Sequence, residues 1–580
     1  MPQGFDKISI KPAVKSRSLI SAVTKHITSS DFGQISIPFF TDILPGDKIS
    51  SLDIPHFSRC DSLFKPTFGT ALHKTAGFYV PLHQVHEMAN SFVNGETTYM
   101  GNVVRQIVFS AHDLAQLFLQ SSKLGNIIVS SSDYYDVFFY NSSNVLTKYR
   151  FSALGRYYYK ILRQLGYNFP VLTSDSAQKS YIFSAYPLLA FAHAYNDWMS
   201  SSIRYNNSQL SSLLLSKRRS ISSTDCLLNH LDILTILDNI RVCYENDYFT
   251  SAWESPESPY NQMGNKTNAN GQSYNGDIQY NGSETSLLLE PRESTGGDIP
   301  LSARSLAILK SFYLWAKRNN YSGSRTVQRV FSRFGIKSDE FETHYAHLLG
   351  TSTTELNIGD VTSLADTLND SSGERLGQYA GKGIFQSKYH IQDVKFNDHG
   401  YFFIFSWKTV RPMYPFNVKS TVLRTSPFDF YTPEMDGIGA YKTISLGEVY
   451  TSKRVDNEKS VDTNIFGYTD LYNDYRFFND SVTGDMELVE GSDVWHFARF
   501  LYSVRNSGHL TAQDPSLIYL DPVNSEFNRI FSSGNSTGYD HFFDEYLIRI
   551  KMSRPIKNLS GVTELGEGSL SIERNGNELQ

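Results

Sequence analysis

Short segments with strand periodicity stand at both ends of this chain, and helical stripes with long loops fill the middle. Near the start, Ile35, Ile37 and Phe39 alternate with Ser36 and Pro38, a period of two whose proline suits a sheet edge. Leu44-Pro45-Gly46-Asp47 then marks a turn, because proline presets one corner and glycine is free to take positive φ. Phe78-Tyr79-Val80-Pro81 and Ile127-Ile128-Val129 are further short strands. From about residue 380 strands return: Tyr401-Phe402-Phe403-Ile404-Phe405 is a buried run, and Tyr546, Ile548 and Ile550 alternate with Leu547 and Arg549. A barrel or sandwich whose loops have grown accommodates this order. Eight strands of about six residues need only roughly 50 residues, so most of the chain would be elaboration.

The middle reads as helices. Leu154, Tyr157, Tyr158, Ile161, Leu162 and Leu165 repeat at three and four residues, with Ser152 as N-cap and Gly166 as stop. Val104, Ile107, Val108, Ala111, Ala115 and Phe118 form a second stripe. Val327, Val330, Phe331 and Phe334 form a third, ended by Gly335. Helices are also expected near 186–200, 226–241 and 302–318, and such stripes are core faces. Residues 254–299 are rich in Asn, Gly, Ser and Glu and form the clearest surface insertion. Asn275-Gly276 and Asn281-Gly282 bracket a small hairpin element there. The segment after Pro555 lacks periodicity and reads as loose.

Composition narrows the class. With 39 Phe, 36 Tyr and 5 Trp and only 19% charged residues, the chain is neither disordered nor, with 3 Cys, a disulfide scaffold. Cys60, Cys226 and Cys243 lack metal-ligand spacing and read as thiols of a protein made in a reducing cytoplasm. No signal-peptide run opens the chain, and no apolar stretch approaches the ~20 residues that span a bilayer. The formal charge is −6, but residues 1–26 hold Lys7, Lys11, Lys15, Arg17 and Lys25 against Asp6 alone, so the remainder carries −10. A short basic arm on an acidic body can meet phosphate locally, although charge alone also fits a solvated terminus.

Catalytic chemistry is hard to place. His83-Gln84-Val85-His86-Glu87 has the wrong spacing for a zinc helix, with histidines three apart. Gly377 to Gly383 is short of a phosphate loop, and Gly437-Ile438-Gly439 lacks the third glycine of a dinucleotide fingerprint, so both read as turns. Asp540, Asp544 and Glu545 could gather around a hard cation, with surface carboxylates as the plainer reading. No catalytic set, metal site or cofactor is expected, and the chain reads as a structural or binding protein rather than an enzyme.

Read together, an ordered series of segments resembles the major capsid protein of the Microviridae, small tailless single-stranded DNA phages, and especially its gokushovirus-like members. Ile43 to Asp47 looks like the family's strand followed by LPGD, and Phe78 to Pro81 like its aromatic-aromatic-Val-Pro strand. Ala194 to Trp198 is similar to an aromatic-Asn-acid-Trp helix, and Asp247-Tyr248-Phe249-Thr250-Ser251-Ala252 to a family signature. Phe334-Gly335-Ile336, Leu348-Leu349-Gly350, His399-Gly400-Tyr401, Phe428 to Tyr431, Phe466 to Tyr468, Tyr475-Arg476, Val482 to Asp485, Val494-Trp495-His496 and Arg554-Pro555 follow in order. The chain departs at Val85 to Met88, where the family usually has tryptophans, and at Trp253 to Pro256, where a Pro-rich continuation is usual.

The resemblance implies a mainly β fold: an eight-stranded antiparallel jelly roll with long, partly helical insertion loops. It divides the chain into a basic arm, 1–34, one jelly-roll domain, 35–556, and a loose tail, 557–580. It further implies a virion protein assembled in the host bacterial cytoplasm, sixty copies forming a T=1 shell around circular single-stranded DNA. A separate small basic DNA-binding virion protein is an expected partner, and no membrane is. Segment 254–299 would project outward, where a host receptor could meet it. Lys7, Lys11, Lys15, Arg17 and Lys25 would face the DNA. Leu44, Pro45, Gly46, Asp47, Asp247, Tyr248, Phe249, Thr250, Trp495 and His496 would be structural motif residues. The competing class is a soluble, aromatic-rich β-sandwich that binds glycans, against which the missing signal peptide counts.

Overall fold

The computed structural model describes residues 17–556 apart from 254–313, 319–330, 363–378, 451–464, 501–518 and several shorter stretches. Four long strands precede the helical middle: β1 (Ser18–Ser30), β2 (Ile35–Ile43), β3 (Lys48–Cys60) and β4 (Ala71–Pro81). Five follow it: β5 (His347–Glu355), β6 (Asn357–Thr362), β7 (Tyr379–Lys395), β8 (Gly400–Val410) and β9 (Phe542–Arg554). They form two antiparallel sheets, ordered β1-β9-β3-β7-β6 and β5-β4-β8-β2. The chain weaves between the sheets from β1 to β4 and again from β7 to β9, which is the jelly-roll arrangement. Among the described residues these two sheets hold nine strands, beside the expected eight. Leu356 alone separates β5 from β6, so one extended run serves first one sheet and then the other.

Alternation explains the packing. Ile49, Leu52, Ile54, Ile391, Tyr546, Ile548 and Ile550 of the first sheet meet Tyr79, Phe402 and Ile404 of the second in one buried cluster. Strand β8 is buried on both faces along most of its length. Phe402 and Ile404 point into the sandwich, while Phe403 and Phe405 enter a larger core shared with the helices. That is why the run 401–405 shows no alternation in sequence.

The longer helices among the described residues are α1 (Ala111–Gln120), α2 (Ala153–Gln164), α3 (Tyr186–Trp198), α4 (Ser208–Arg218) and α5 (His230–Asp238). Ser152 caps α2 by accepting from Gly155 N at 3.1 Å, and Gly166 ends it at φ +95°. Helix α2 also covers the open edge of β2. Ile35 N donates to Tyr157 Oη at 3.1 Å, and Ile37 N donates to Gln164 Oε1 at 2.8 Å. Strand β2, with Pro38, is thus the expected edge strand, and its unpaired N–H groups are satisfied by side chains.

Three expectations differ from the structure. The stripe from Val104 becomes helical only at Ala111, because Ser110 and Asp113 form a capping box and Val108–Ser110 pairs with Ile182–Ser184. Gly381 and Gly383 lie inside β7 rather than in a turn. A Cβ on Gly381 would meet Lys65 O at 2.8 Å, and one on Gly383 would meet Cys60 Sγ at 2.7 Å. Gly437 and Gly439 do turn the chain, at φ +80° and +113°. The third difference is the N-terminal segment. Expected as a basic arm over 1–34, it contributes a full strand from Ser18, paired with β9 from Ser18↔Arg554 to Ser30↔Phe542. Lys7, Lys11, Lys15, the insertion 254–299, Val327, Val330 and the tail 557–580 lie outside the described residues, as does the expected helix 302–318 apart from Leu314 and Arg318.

Candidate functional site

The residues with potential chemistry are drawn apart. His83 pairs with Asp398 at 2.9 Å, whereas His86 sits between Tyr186 Oη and Ser220 O, each at 3.0 Å. Asp540 takes Lys160 at 2.8 Å, Glu545 takes Lys25 at 2.7 Å, and Asp544 takes Lys408 at 2.8 Å. No group of three His, Cys, Asp or Glu side chains able to hold a metal is found among the described residues.

Asp544 corrects the reading of a surface carboxylate, for it is 1% exposed. Alternation along β9 turns it inward between the sheets, where Lys408 of β8 and His56 of β3, 3.0 Å away, converge on it. Ser30 Oγ also donates to it. Burial alone would raise this carboxyl, but Lys408 and His56 outweigh burial and hold it well below the usual carboxylate range. Burial lowers His56, and lowers its stacked neighbour His73 strongly, disfavouring a charge on either imidazole. Ser406 links His73 to Tyr546, at 2.7 Å on each side. Every charge here has a partner across the sandwich, which makes the network a structural pin between the sheets.

The motif residues are local structural devices. Leu44-Pro45-Gly46-Asp47 is the β2–β3 turn, with Gly46 at φ +90°. Leu44 N donates to Asp47 Oδ2 at 2.9 Å, and Arg554 at the end of β9 lies 3.2 Å from the same oxygen. In the second motif Asp247 Oδ1 accepts from Phe249 N at 2.9 Å and Thr250 N at 2.7 Å, while Thr250 Oγ1 accepts from Asp247 N at 2.8 Å. This reciprocal turn aims Tyr248 and Phe249 into a separate buried cluster with Tyr414, Ile444, Val449 and Phe466. Trp495 stacks on Phe68 at 6.3 Å, and His496 Nε2 donates to Met486 O at 2.9 Å. Of the cationic residues expected to face DNA, Arg17 donates to Gly46 O at 2.9 Å and Lys25 pairs with Glu545.

Between Val422 and Phe478 the surface carries aromatic side chains that no sequence periodicity marks. Phe428, Phe430, Tyr431 and Tyr475 are exposed, and Phe478 is 88% exposed. Tyr472 anchors part of this surface, donating to Phe428 O at 3.0 Å with its ring 5.2 Å from Tyr431 and 6.3 Å from Tyr475. The Arg424 guanidinium lies 4.0 Å over Tyr475 and bonds Asp474 at 2.6 Å. Exposed aromatics and arginine held rigidly together are the composition of a protein–protein interface. The signal in sequence was Phe428-Asp429-Phe430-Tyr431, aromatic yet without a period of two or 3.6 to place it in a core.

Comparison with known proteins decides the class. The family model described as capsid protein (F protein) matches residues 155–528, well over half of the chain. The chain belongs to this family. Capsid protein VP1 of Bdellovibrio phage phiMH2K is 25% identical over 180 residues, covering 31% of this chain and 32% of that protein. Capsid protein VP1 of Spiroplasma virus 4 is 23% identical over 217 residues, or 37% of each. That of Chlamydia phage 1 is 24% identical over 190 residues, covering 32% and 31%. Each alignment thus spans about a third of the curated relative. The resemblance to Microviridae capsid proteins stands on these matches. The family match covers the region that holds Asp247 to Ala252, the aromatic patch and Trp495-His496. Among the described residues no helix is long and apolar enough to cross a membrane.

Proposed function

We propose that the chain is the building block of a closed T=1 shell, sixty copies enclosing circular single-stranded DNA. The observation that carries this reading is a capsid-family chain whose surface exposes the aromatic side chains of Phe428, Phe430, Tyr431, Tyr475 and Phe478. Obligate interfaces bury ~2,000–5,000 Å² and are rich in aromatics, so such a patch suits a subunit surrounded by neighbours. Point symmetry then requires each patch to meet a complementary surface on another copy. The subunit provides binding energy, and no reaction is assigned to it.

The finer assignments follow the same reading. Assembly takes place in the bacterial cytoplasm, a small basic virion protein offsets genome charge beside an acidic subunit, and Lys7, Lys11, Lys15, Arg17 and Lys25 lie toward the DNA. Segment 254–299 projects outward toward a host receptor. Negative-stain microscopy of the purified chain tests the central claim, with uniform closed spheres expected. Monomers under all assembly conditions overturn it. Deletion of 262–290 is expected to leave shells intact, and their loss would place that segment within the shell.

A further inference from the structure

The outer face of the β1-β9-β3-β7-β6 sheet carries a charge opposite to that of the chain as a whole. Alternation turns Arg549 and Lys551 of β9, Arg59 of β3, Lys388 of β7 and Lys25 of β1 to this side. Along Ser51–Arg59 and the segments paired with it, the acidic residues on this side are Asp53 and Glu545. Those two are occupied: Glu545 by Lys25 at 2.7 Å, Asp53 by Lys388 at 3.1 Å and His390 at 2.7 Å. Arg59, Arg549 and Lys551 are exposed and form no ion pair among the described residues. On a chain of net charge −6, a sheet face with surplus cations runs against the average.

Rings lie among these cations. Phe543, 57% exposed, is the register partner of Arg59, whose guanidinium lies 5.3 Å from the Phe57 ring. Cations tracking a backbone, with aromatic side chains between them on which bases stack, is the pattern of a sequence-tolerant single-strand binding surface. A basic protein partner would be repelled by it. We propose that this sheet face is the surface that contacts single-stranded DNA, with Arg59, Arg549 and Lys551 on phosphates and Phe57 and Phe543 on bases. The proposal rests on the reading that the shell encloses such DNA.

The test combines one triple variant with cross-linking of the unaltered protein. For R59Q/R549Q/K551Q, shells are expected to form and to carry less nucleic acid. Binding of an oligothymidylate is expected to weaken, with a salt dependence shallower by about 2 in log–log slope, from ~0.7 per lost phosphate contact. Ultraviolet cross-linking of the same oligothymidylate to the unaltered protein is expected to mark peptides 51–59 and 542–551. Shells with unchanged nucleic-acid content and slope overturn the proposal, as do adducts confined to other surfaces. Loss of shells with unchanged oligothymidylate binding also overturns it, by assigning the face to a neighbouring subunit. Failure of the unaltered chain to form any shell would instead sink the enclosing-shell reading, so the two failures are distinguishable.

Discussion

Lys408 Nζ lies 2.8 Å from each carboxylate oxygen of Asp544, and both side chains are within 1% of complete burial. The pair joins β8 of one sheet to β9 of the other. Breaking a buried pair from one side leaves an uncompensated charge, at a cost of about 3–5 kcal/mol, whereas replacing both partners by apolar groups is often neutral. Lys408→Met is therefore expected to lower stability by about 3–5 kcal/mol in denaturant unfolding, and Lys408→Met/Asp544→Leu to recover much of that loss. A double variant as unstable as the single one would show that the sandwich depends on the ions themselves.

Stability is expected to fall on mild acidification. Burial lowers His56, His73 and His193 from the ordinary 6.5, His193 to about 3. Below pH 6.5 the unfolded chain binds protons that the folded chain refuses, so each such histidine removes up to ~1.4 kcal/mol per pH unit until its folded pKa is reached. Asp544, held low, adds a loss in the same direction as pH falls below 3.8. Asp47 and Glu448, raised by burial, oppose it nearer the carboxylate range. Thermal midpoints measured from pH 7 to pH 5.5 should decline steadily, and a flat profile contradicts the assignment.

Gly155→Ala should destabilise although alanine is the better helix former by about 1 kcal/mol. A Cβ at this position in α2 would collide with the backbone oxygen of Leu124, which cannot swing away as a side-chain tip can. A net cost of about 1–3 kcal/mol is expected from overpacking, read as a lower urea midpoint. A neutral or stabilising result would mean that the 121–125 turn yields.

Asp247→Ala removes the acceptor of Phe249 N and Thr250 N and of Tyr414 Oη, the last at 2.6 Å. About 1–3 kcal/mol is expected, with about 1 kcal/mol for Tyr414→Phe, which leaves both backbone bonds to Asp247 in place. Hydrogen exchange should show the loss concentrated around 247–252 and 444–449. Uniform loss across the sandwich would argue against a separate cluster.

Phe428→Ser, Phe430→Ser and Phe478→Ser should leave monomer melting within about 0.5 kcal/mol, since exposed positions rarely matter to folding. Assembly should respond far more. Each 1.4 kcal/mol lost at an interface is about tenfold in affinity, so light scattering should show a tenfold or greater rise in the concentration needed for assembly. Unchanged assembly would remove this patch from the list of contacts.

The parts of the fold governed by near neighbours could be read directly. Ser152 and Gly166 bound α2, Pro38 marks an edge strand, and Gly46 turns the chain, each through interactions within a few residues. Asp544 could not be read in this way, because Lys408 is 136 residues away and His56 is 488. The same holds for Asp540, whose partner Lys160 is 380 residues distant. Val104 to Phe118 misled because the spacing of three and four continues by chance through a strand, and only the Ser110–Asp113 capping box shows where helix begins. The outward cations of β9 were half legible, since Ile548 and Ile550 point in and place Arg549 and Lys551 together outside, but which strands flank them depends on topology.

Strand β9, made last, lies between β1 and β3, made first. While the chain emerges from a ribosome, those two strands cannot sit in one sheet without a strand-wide gap, and Asp544 is not yet there to receive Lys408. The sandwich therefore closes only after residue 554 has been synthesised, and a chain cut short anywhere upstream exposes two unpaired edges. The order of the sheet acts as a length gauge, admitting only chains translated through β9 to the folded state from which a shell can grow.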